Sequence, residues 1–264
     1  MRSAPNAFFD PMNAIDPTEY SMDPSPMTHN PLPPNAPRLT RTAWLPAALV
    51  FAIAVAGCSF FPAMRHPVPP YPLLNEKRLA LTQEYARIHY GIDGFRMAEP
   101  RMIIIHYTAF HSFRESLDFM RPDELSSIRG DIRSGGRVNV GAHYLIDRNG
   151  EIYELLPDDI IARHAIGFNH VAIGVENVGR GESELTDAQA EANVKLIHRL
   201  KSKYPSIEFL IGHHEYARKD LPHFVLFREL DPGYGFTEKI DPGDAFMSKI
   251  RAAITKRYGL NLKN

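Results

Sequence analysis

The chain is short of three things, and each shortage closes off a class of protein. One cysteine in 264 residues excludes an internal disulfide framework and any cysteine-rich zinc site. A formal net charge of −1, from 30 Lys+Arg against 31 Asp+Glu, excludes a broadly basic nucleic-acid binder, because neutralising phosphates takes clustered excess Lys and Arg. No nucleic-acid partner is therefore expected. Long hydrophobic runs are scarce as well. The most apolar stretch, residues 43–57, is too short to span a bilayer comfortably, and Pro46 within it disfavours a stable spanning helix. What the chain does hold is 12 histidines and 22 prolines, unevenly spread.

Nine of the prolines precede Arg38, and residues 1–42 show almost no apolar periodicity. Such a segment buries too little surface to offset its ordering entropy, so it reads as a disordered leader. Arg38 and Arg41 then flank the apolar segment 43–57, which ends Val55-Ala56-Gly57-Cys58. A basic flank, a short apolar run and small residues before a cut site describe a secretory signal peptide. The small residues directly before the cysteine resemble the lipobox of bacterial lipoproteins. That resemblance implies that Cys58 is acylated, becomes the first mature residue and anchors the protein to a membrane. Ser59 in place of an aspartate points, by the same resemblance, to the periplasmic face of the outer membrane in a Gram-negative envelope. An uncleaved anchor with a buried cysteine is the competing reading. Asp10, Asp16, Glu19 and Asp23 are foreign to a signal peptide's charged start, so translation is expected to begin at Met27. Residues 58–75 carry Pro62, Pro67, Pro69, Pro70 and Pro72 and read as an extended spacer.

From 76 to 260 the pattern is that of a single α/β domain: a central mixed β-sheet flanked by helices, with interspersed strands and helices and one hairpin. A helix is expected over 76–89, closed by Gly91, and a short one over 112–120. Met102–Ile105 is a short apolar run rich in β-branched residues, the mark of a strand buried on both faces. Residues 126–139 read as a polar surface loop. The runs 142–146 and 152–156 flank Asp147-Arg148-Asn149-Gly150, a strong hairpin signal. A further strand is expected over 172–178. Thr186 and Gln189 form a capping box for a helix to about Lys203. A last strand over 207–211 and a helix over 244–257 complete the domain.

His106 closes the first strand, where an open sheet leaves a crevice. A histidine there serves as a metal ligand, as a general base, or as an imidazole bonded to backbone. His213 closes the last strand, so adjacent strands would bring the two together. A catalytic zinc takes three protein ligands and leaves one position open. Cys58 cannot supply the third from the far end of a spacer; Asp241, held by Pro242-Gly243, can. Asp231 and Asp220 are the alternatives. If the last strand continues past His213, His214 faces the other side of the sheet.

Six stretches then occur in one order: IIIHYTA (103–109), GAHYLIDRNGEIYEL (141–155), HAIGFNHVAIGVENVG (164–179), TDAQ (186–189), GHHE (212–215) and KIDPGDAF (239–246). Together they resemble the type 2 N-acetylmuramoyl-L-alanine amidases, the AmpD-like zinc amidases related to phage-lysozyme amidases and peptidoglycan recognition proteins. The resemblance implies Zn2+ held by His106, His213 and Asp241, the zinc site lying at the strand ends. It implies Glu176 as general base, Lys239 beside the oxyanion, and substrate contacts at His143, His164 and Asn169. For Asn169, a loop-fixing side-chain bond competes with substrate contact. The implied reaction is hydrolysis of the amide between N-acetylmuramic acid and L-alanine in peptidoglycan or muropeptides. One departure stands out: 28 positions separate His213 from Asp241, more than is common in the family. The inserted aromatics Phe224, Phe227, Tyr234 and Phe236 would either line a groove or cover the core. The competing function is a non-catalytic peptidoglycan-binding lipoprotein of the same fold.

Overall fold

The computed structural model describes residues 69–264; the leader, the apolar segment, Cys58 and the spacer as far as residue 68 lie outside the described residues. Its centre is strand β1 (Met102–Tyr107), all six residues of which are buried. A strand with no polar face has to be covered on both sides, and parallel sheets are built that way. β1 pairs in parallel with β4 (Ala172–Asn177) on one side and β5 (Phe209–Gly212) on the other. Beyond β4 lies β2 (Tyr144–Ile146), also parallel, and then β3 (Ile152–Glu154), its antiparallel hairpin partner. The sheet order is β3-β2-β4-β1-β5.

Alternation along β1 splits the core in two. Ile103 and Ile105 face the layer of α3 (Asp187–Lys203) and α4 (Asp244–Tyr258), packing with Leu196, Ile197, Met247 and Ile250. Met102 and Ile104 face α1 (Glu76–Tyr90) and the irregular segments around it. A smaller cluster lies under α2 (Phe113–Met120). Local signals agree with these elements. The Ser112–Glu115 and Thr186–Gln189 capping boxes are both formed, and Gly91 closes α1 at φ 62°, a left-handed conformation that costs glycine nothing.

Three expectations change. The spacer ends earlier than residue 75: Tyr71 N–H donates to Glu154 O and Leu73 N–H to Leu155 O, and Leu73 is fully buried. Residues 126–139 are not wholly surface, since they contain a 3-10 turn (Gly130–Gly135) and bury Ile132 and Val138. β5 stops at Gly212, and a 3-10 turn (His213–Glu215) follows, so strand alternation does not govern His214. Among the described residues, no helix is long and apolar enough to cross a membrane.

Two substitutions test this layering. Ile104→Ala, at the fully buried centre of β1, should cost roughly 2–5 kcal/mol through lost transfer energy and a residual cavity. Val225→Ala, 80% exposed, should stay within about 0.5 kcal/mol of the parent. Urea denaturation of the two variants checks both.

Candidate functional site

Because β1, β4 and β5 run parallel, their carboxyl ends open at one edge of the sheet, where such folds leave a crevice. Register then decides who meets there. His106 is paired across from Glu176 on β4, and His213 follows β5 directly. A pocket of about 370 Å³ sits over them, lined by His106, His164, Glu176, His213, Lys239 and Asp241, and by apolar side chains including Phe119 and Ile166.

His106 Nδ1 and His213 Nδ1 each lie 3.2 Å from Asp241 Oδ2. The three residues offer ligand atoms within 4.8 Å of one another, and all three are buried. Asp241 is fixed by the turn that carries His213. Its carbonyl accepts from the backbone N–H of His214 at 2.8 Å and from His214 Nδ1 at 3.1 Å. Tyr216 tightens the approach, donating to Thr237 O at 2.6 Å while its hydroxyl accepts from Thr237 N–H. The turn itself is braced by Glu215, which accepts from Gly212 N–H at 2.7 Å and is clamped by Arg251. Glu182 reaches across to accept from Phe246 N–H at the start of α4.

The alternative carboxylates are occupied elsewhere. Asp231 accepts from Gly233 N–H within its own turn, and Asp220 pairs with Arg218. His143 lies apart from the pocket: it is fully buried, with Nε2 on Ile160 O and Nδ1 accepting from Gly174 N–H. Both nitrogens are spent on backbone, so the expectation of substrate contact there is corrected to a structural role. Asn169 borders the pocket, yet its side chain fixes the loop, accepting from the N–H groups of His164 and Ala165 and donating to Tyr85. His164 meets His106 directly, Nδ1 to Nε2 at 3.1 Å.

The inserted segment divides by role. Phe224 and Phe227 stack at 5.0 Å and pack with Phe236 against the core beneath α1, whereas Tyr234 and Thr237 border the pocket. Arg163, which no motif singles out, holds one pocket wall. It donates to the carbonyls of Ile132, Gly136 and Val138 and to Tyr234 Oη. An arginine that binds scattered loop carbonyls leaves no periodic trace in a sequence. Glu182 and Tyr216 escape notice for the same reason.

Electrostatics suit a cation. Burial pushes His213 down to about 4, with His106 and Lys239 adding to the effect against the attraction of Asp241; neutral imidazole is the ligand form. Burial works against ionisation of Asp241, yet His213 and then His106, each attracting and donating to it when the ring carries the proton, outweigh that and hold its carboxyl far below the usual range. Burial lowers His164 well below its ordinary value, helped by His106 and His143. Burial raises Glu176 to about 7, and nearby Asp241 adds to this. Glu176 Oε2 is out of solvent with no hydrogen-bond partner among the described residues. A carboxylate that titrates near neutrality and faces a pocket is fitted to proton transfer.

The donor set fits a divalent ion. Ala172 O can only accept, so His164 Nε2, 3.2 Å away, carries that ring's proton. His164 Nδ1 then accepts from His106 Nε2, which leaves a lone pair on His106 Nδ1 aimed at a carboxylate oxygen. Lone pair against carboxylate is repulsive, and a cation among the three atoms removes the conflict. Two imidazoles and one carboxylate are a zinc-type ligand set.

Glu176 makes a stability prediction for the metal-free protein. Its folded value lies above the ordinary carboxylate value, so the folded state keeps a proton that the unfolded chain releases. The stability present below about pH 4.5 should therefore decline as pH rises, levelling off above about 7. Glu176→Gln should remove that slope, gaining on the order of 3 kcal/mol over the parent at pH 8 and almost nothing at pH 4. Chemical denaturation in chelator at the two pH values reads the difference.

Comparison with known proteins identifies relatives of this chain. The model of the N-acetylmuramoyl-L-alanine amidase family, Amidase_2, matches residues 96–243, more than half of the chain. The endolysin of Enterobacteria phage K11 is 30% identical over 104 residues, spanning 37% of this chain and 68% of that protein. The endolysin of Escherichia phage T7 is 33% identical over 99 residues, spanning 35% of this chain and 65% of that protein. The 1,6-anhydro-N-acetylmuramyl-L-alanine amidase AmpD of Haemophilus influenzae is 33% identical over 110 residues, covering 38% of this chain and 55% of that enzyme. The chain thus spans between about half and two thirds of the length of these relatives. The matched region contains His106, Glu176, His213, Lys239 and Asp241, and the chain belongs to the N-acetylmuramoyl-L-alanine amidase family of enzymes.

Proposed function

We propose that this protein is a zinc-dependent amidase that hydrolyses the bond between N-acetylmuramic acid and L-alanine in peptidoglycan or its fragments. The observation that carries the proposal is the convergence of His106, His213 and Asp241 with Glu176 beside them in register. Family membership supplies the bond; the names of the endolysins and of AmpD support peptidoglycan and anhydro-muropeptides as the substrate class.

An unactivated amide needs a nucleophile made from water, charge stabilisation at its carbonyl oxygen and a proton for the leaving amine. A zinc ion held by the three ligands would supply Lewis acidity, lowering the pKa of a bound water to about 7 and polarising the carbonyl. Glu176 removes a proton from the attacking water and passes it to the L-alanine nitrogen as the C–N bond breaks. Its high affinity for that proton suits both halves of the transfer. Lys239 borders the same pocket and places an ammonium toward the charge that develops on the carbonyl oxygen. The apolar wall around Phe119 and Ile166 limits water and so strengthens both electrostatic effects.

The N-terminus supports a location for this activity. Val55-Ala56-Gly57-Cys58 is the pattern of an acylated cysteine, which would tether the enzyme to the periplasmic face of the outer membrane and raise the local concentration of wall polymer. Metabolic labelling with a palmitate analogue should mark the protein, and Cys58→Ser should abolish the label and release the chain from membranes.

The reaction is tested on purified muropeptides with products weighed by mass spectrometry. A tight chelator should abolish release of the stem peptide, and zinc should restore it; cleavage unaffected by chelation would remove the metal from the mechanism. Glu176→Gln should cut kcat by about 10²–10⁴ while retaining zinc, and Lys239→Met by about 10²–10³. Asp241→Ala should lose both zinc and turnover, whereas Asp231→Asn should keep both.

A further inference from the structure

We propose that His164 is a positioning residue that fixes the tautomer of His106, presenting His106 Nδ1 rather than Nε2 to the metal. The inference rests on the metal reading above and goes beyond it, because it concerns what determines which nitrogen binds. His164 is read at sequence level as a substrate contact, and the geometry gives it a different task. Its Nε2 faces Ala172 O at 3.2 Å and its Nδ1 faces His106 Nε2 at 3.1 Å. The two rings stand edge to face, with centroids 5.1 Å apart and planes at 88°. That places the His164 lone pair in reach of one His106 nitrogen and away from the other.

Proton bookkeeping then leaves one arrangement. A carbonyl has no hydrogen to give, so His164 Nε2 carries one. A neutral ring holds only one N–H, and none of the polar contacts His164 makes among the described residues is with a carboxylate that could compensate a positive charge. His164 Nδ1 must accept, His106 Nε2 must donate, and the free lone pair of His106 lies on Nδ1. This is the atom 3.2 Å from Asp241 Oδ2. Metal-binding histidines are generally held through their second nitrogen by a carboxylate, carbonyl or water. Here a second imidazole takes that place, itself held by a strand carbonyl.

The surrounding sequence is shaped to hold His164 in place. A Cβ at Gly174 would come 2.8 Å from the His164 ring, so only glycine lets the imidazole lie against β4. Asn169 accepts from the N–H groups of His164 and Ala165 at 3.0 and 2.7 Å and ties their loop to Tyr85. Asn169, His164 and His106 thus form a chain of contacts that ends at the metal position. None of the three needs to touch substrate for the chain to work.

The test uses the full-length chain with zinc. Competition titration should give His164→Ala a zinc Kd weakened about 10–100-fold. His164→Asn, whose amide oxygen can still accept from His106, should stay within a few-fold of the parent. Histidine-selective ¹⁵N NMR of the zinc-loaded parent should show His106 protonated at Nε2 and metal-bound at Nδ1, a readout that holds even if His164→Ala fails to fold. Zinc on His106 Nε2, unchanged affinity in His164→Ala, or equal losses in the Asn and Ala variants would each overturn the inference and leave the metal site standing. A parent protein that takes up no zinc would overturn the metal reading, and this inference with it.

Discussion

One carboxylate oxygen, Asp241 Oδ2, sits 3.2 Å from two buried imidazole nitrogens, and much of the molecule serves to keep it there. Desolvating a carboxylate is expensive unless something positive shares the space. The fold commits to that arrangement from several directions. β1 delivers His106 from the centre of the sheet, β5 delivers His213 from its neighbour, and the turn after β5 grips the Asp241 carbonyl through two donors on His214. Such a site is held by what surrounds it rather than by its own contacts, as metal sites are when the second layer of hydrogen bonds orients the ligands.

The same edge of the sheet separates two carboxylates by environment. Asp241 lies between imidazoles and ionises readily, whereas Glu176, on β4, has a buried oxygen without a partner among the described residues and holds its proton to about pH 7. Two acids lining one pocket are thereby tuned apart: one gives up its proton readily, the other keeps it to near neutrality. Differences in burial and partners, not in residue type, produce that division. The paired register of His106 with Glu176 makes the division possible, because side chains directly across a parallel ladder share one face of the sheet.

Much of this was legible in the residue pattern, for reasons that differ by element. The strand at 102–107 announced itself because an unbroken β-branched run has few other uses, and both capping boxes because the capping residue and its partner three positions later are local. The hairpin at Asn149-Gly150 was local in the same sense. His214 was not legible, since its direction depended on where β5 stopped, and the glutamate that stops the strand, Glu215, acts through a side chain on Gly212 N–H. The buried half of residues 126–139 was hidden because Arg163, some thirty positions away, supplies the donors its carbonyls need. The inserted aromatics were ambiguous for a related reason: Phe227 packs over Gly167, a glycine at φ 82° with no room for a Cβ, and that close approach joins segments sixty residues apart.

His143 and His164 show where reading by motif stops. Both lie in matching stretches of the family pattern, and each sets its Nε2 on a backbone carbonyl. Yet His143 spends both nitrogens on backbone, from Gly174 and to Ile160, while His164 keeps one for another imidazole. The difference is whether the second nitrogen faces a peptide group or a side chain with a choice of tautomer. A ring bonded twice to backbone can only hold the fold together. A ring bonded once to a carbonyl passes the direction of that carbonyl's dipole on to its neighbour, and at this site the neighbour is His106, whose other nitrogen faces Asp241.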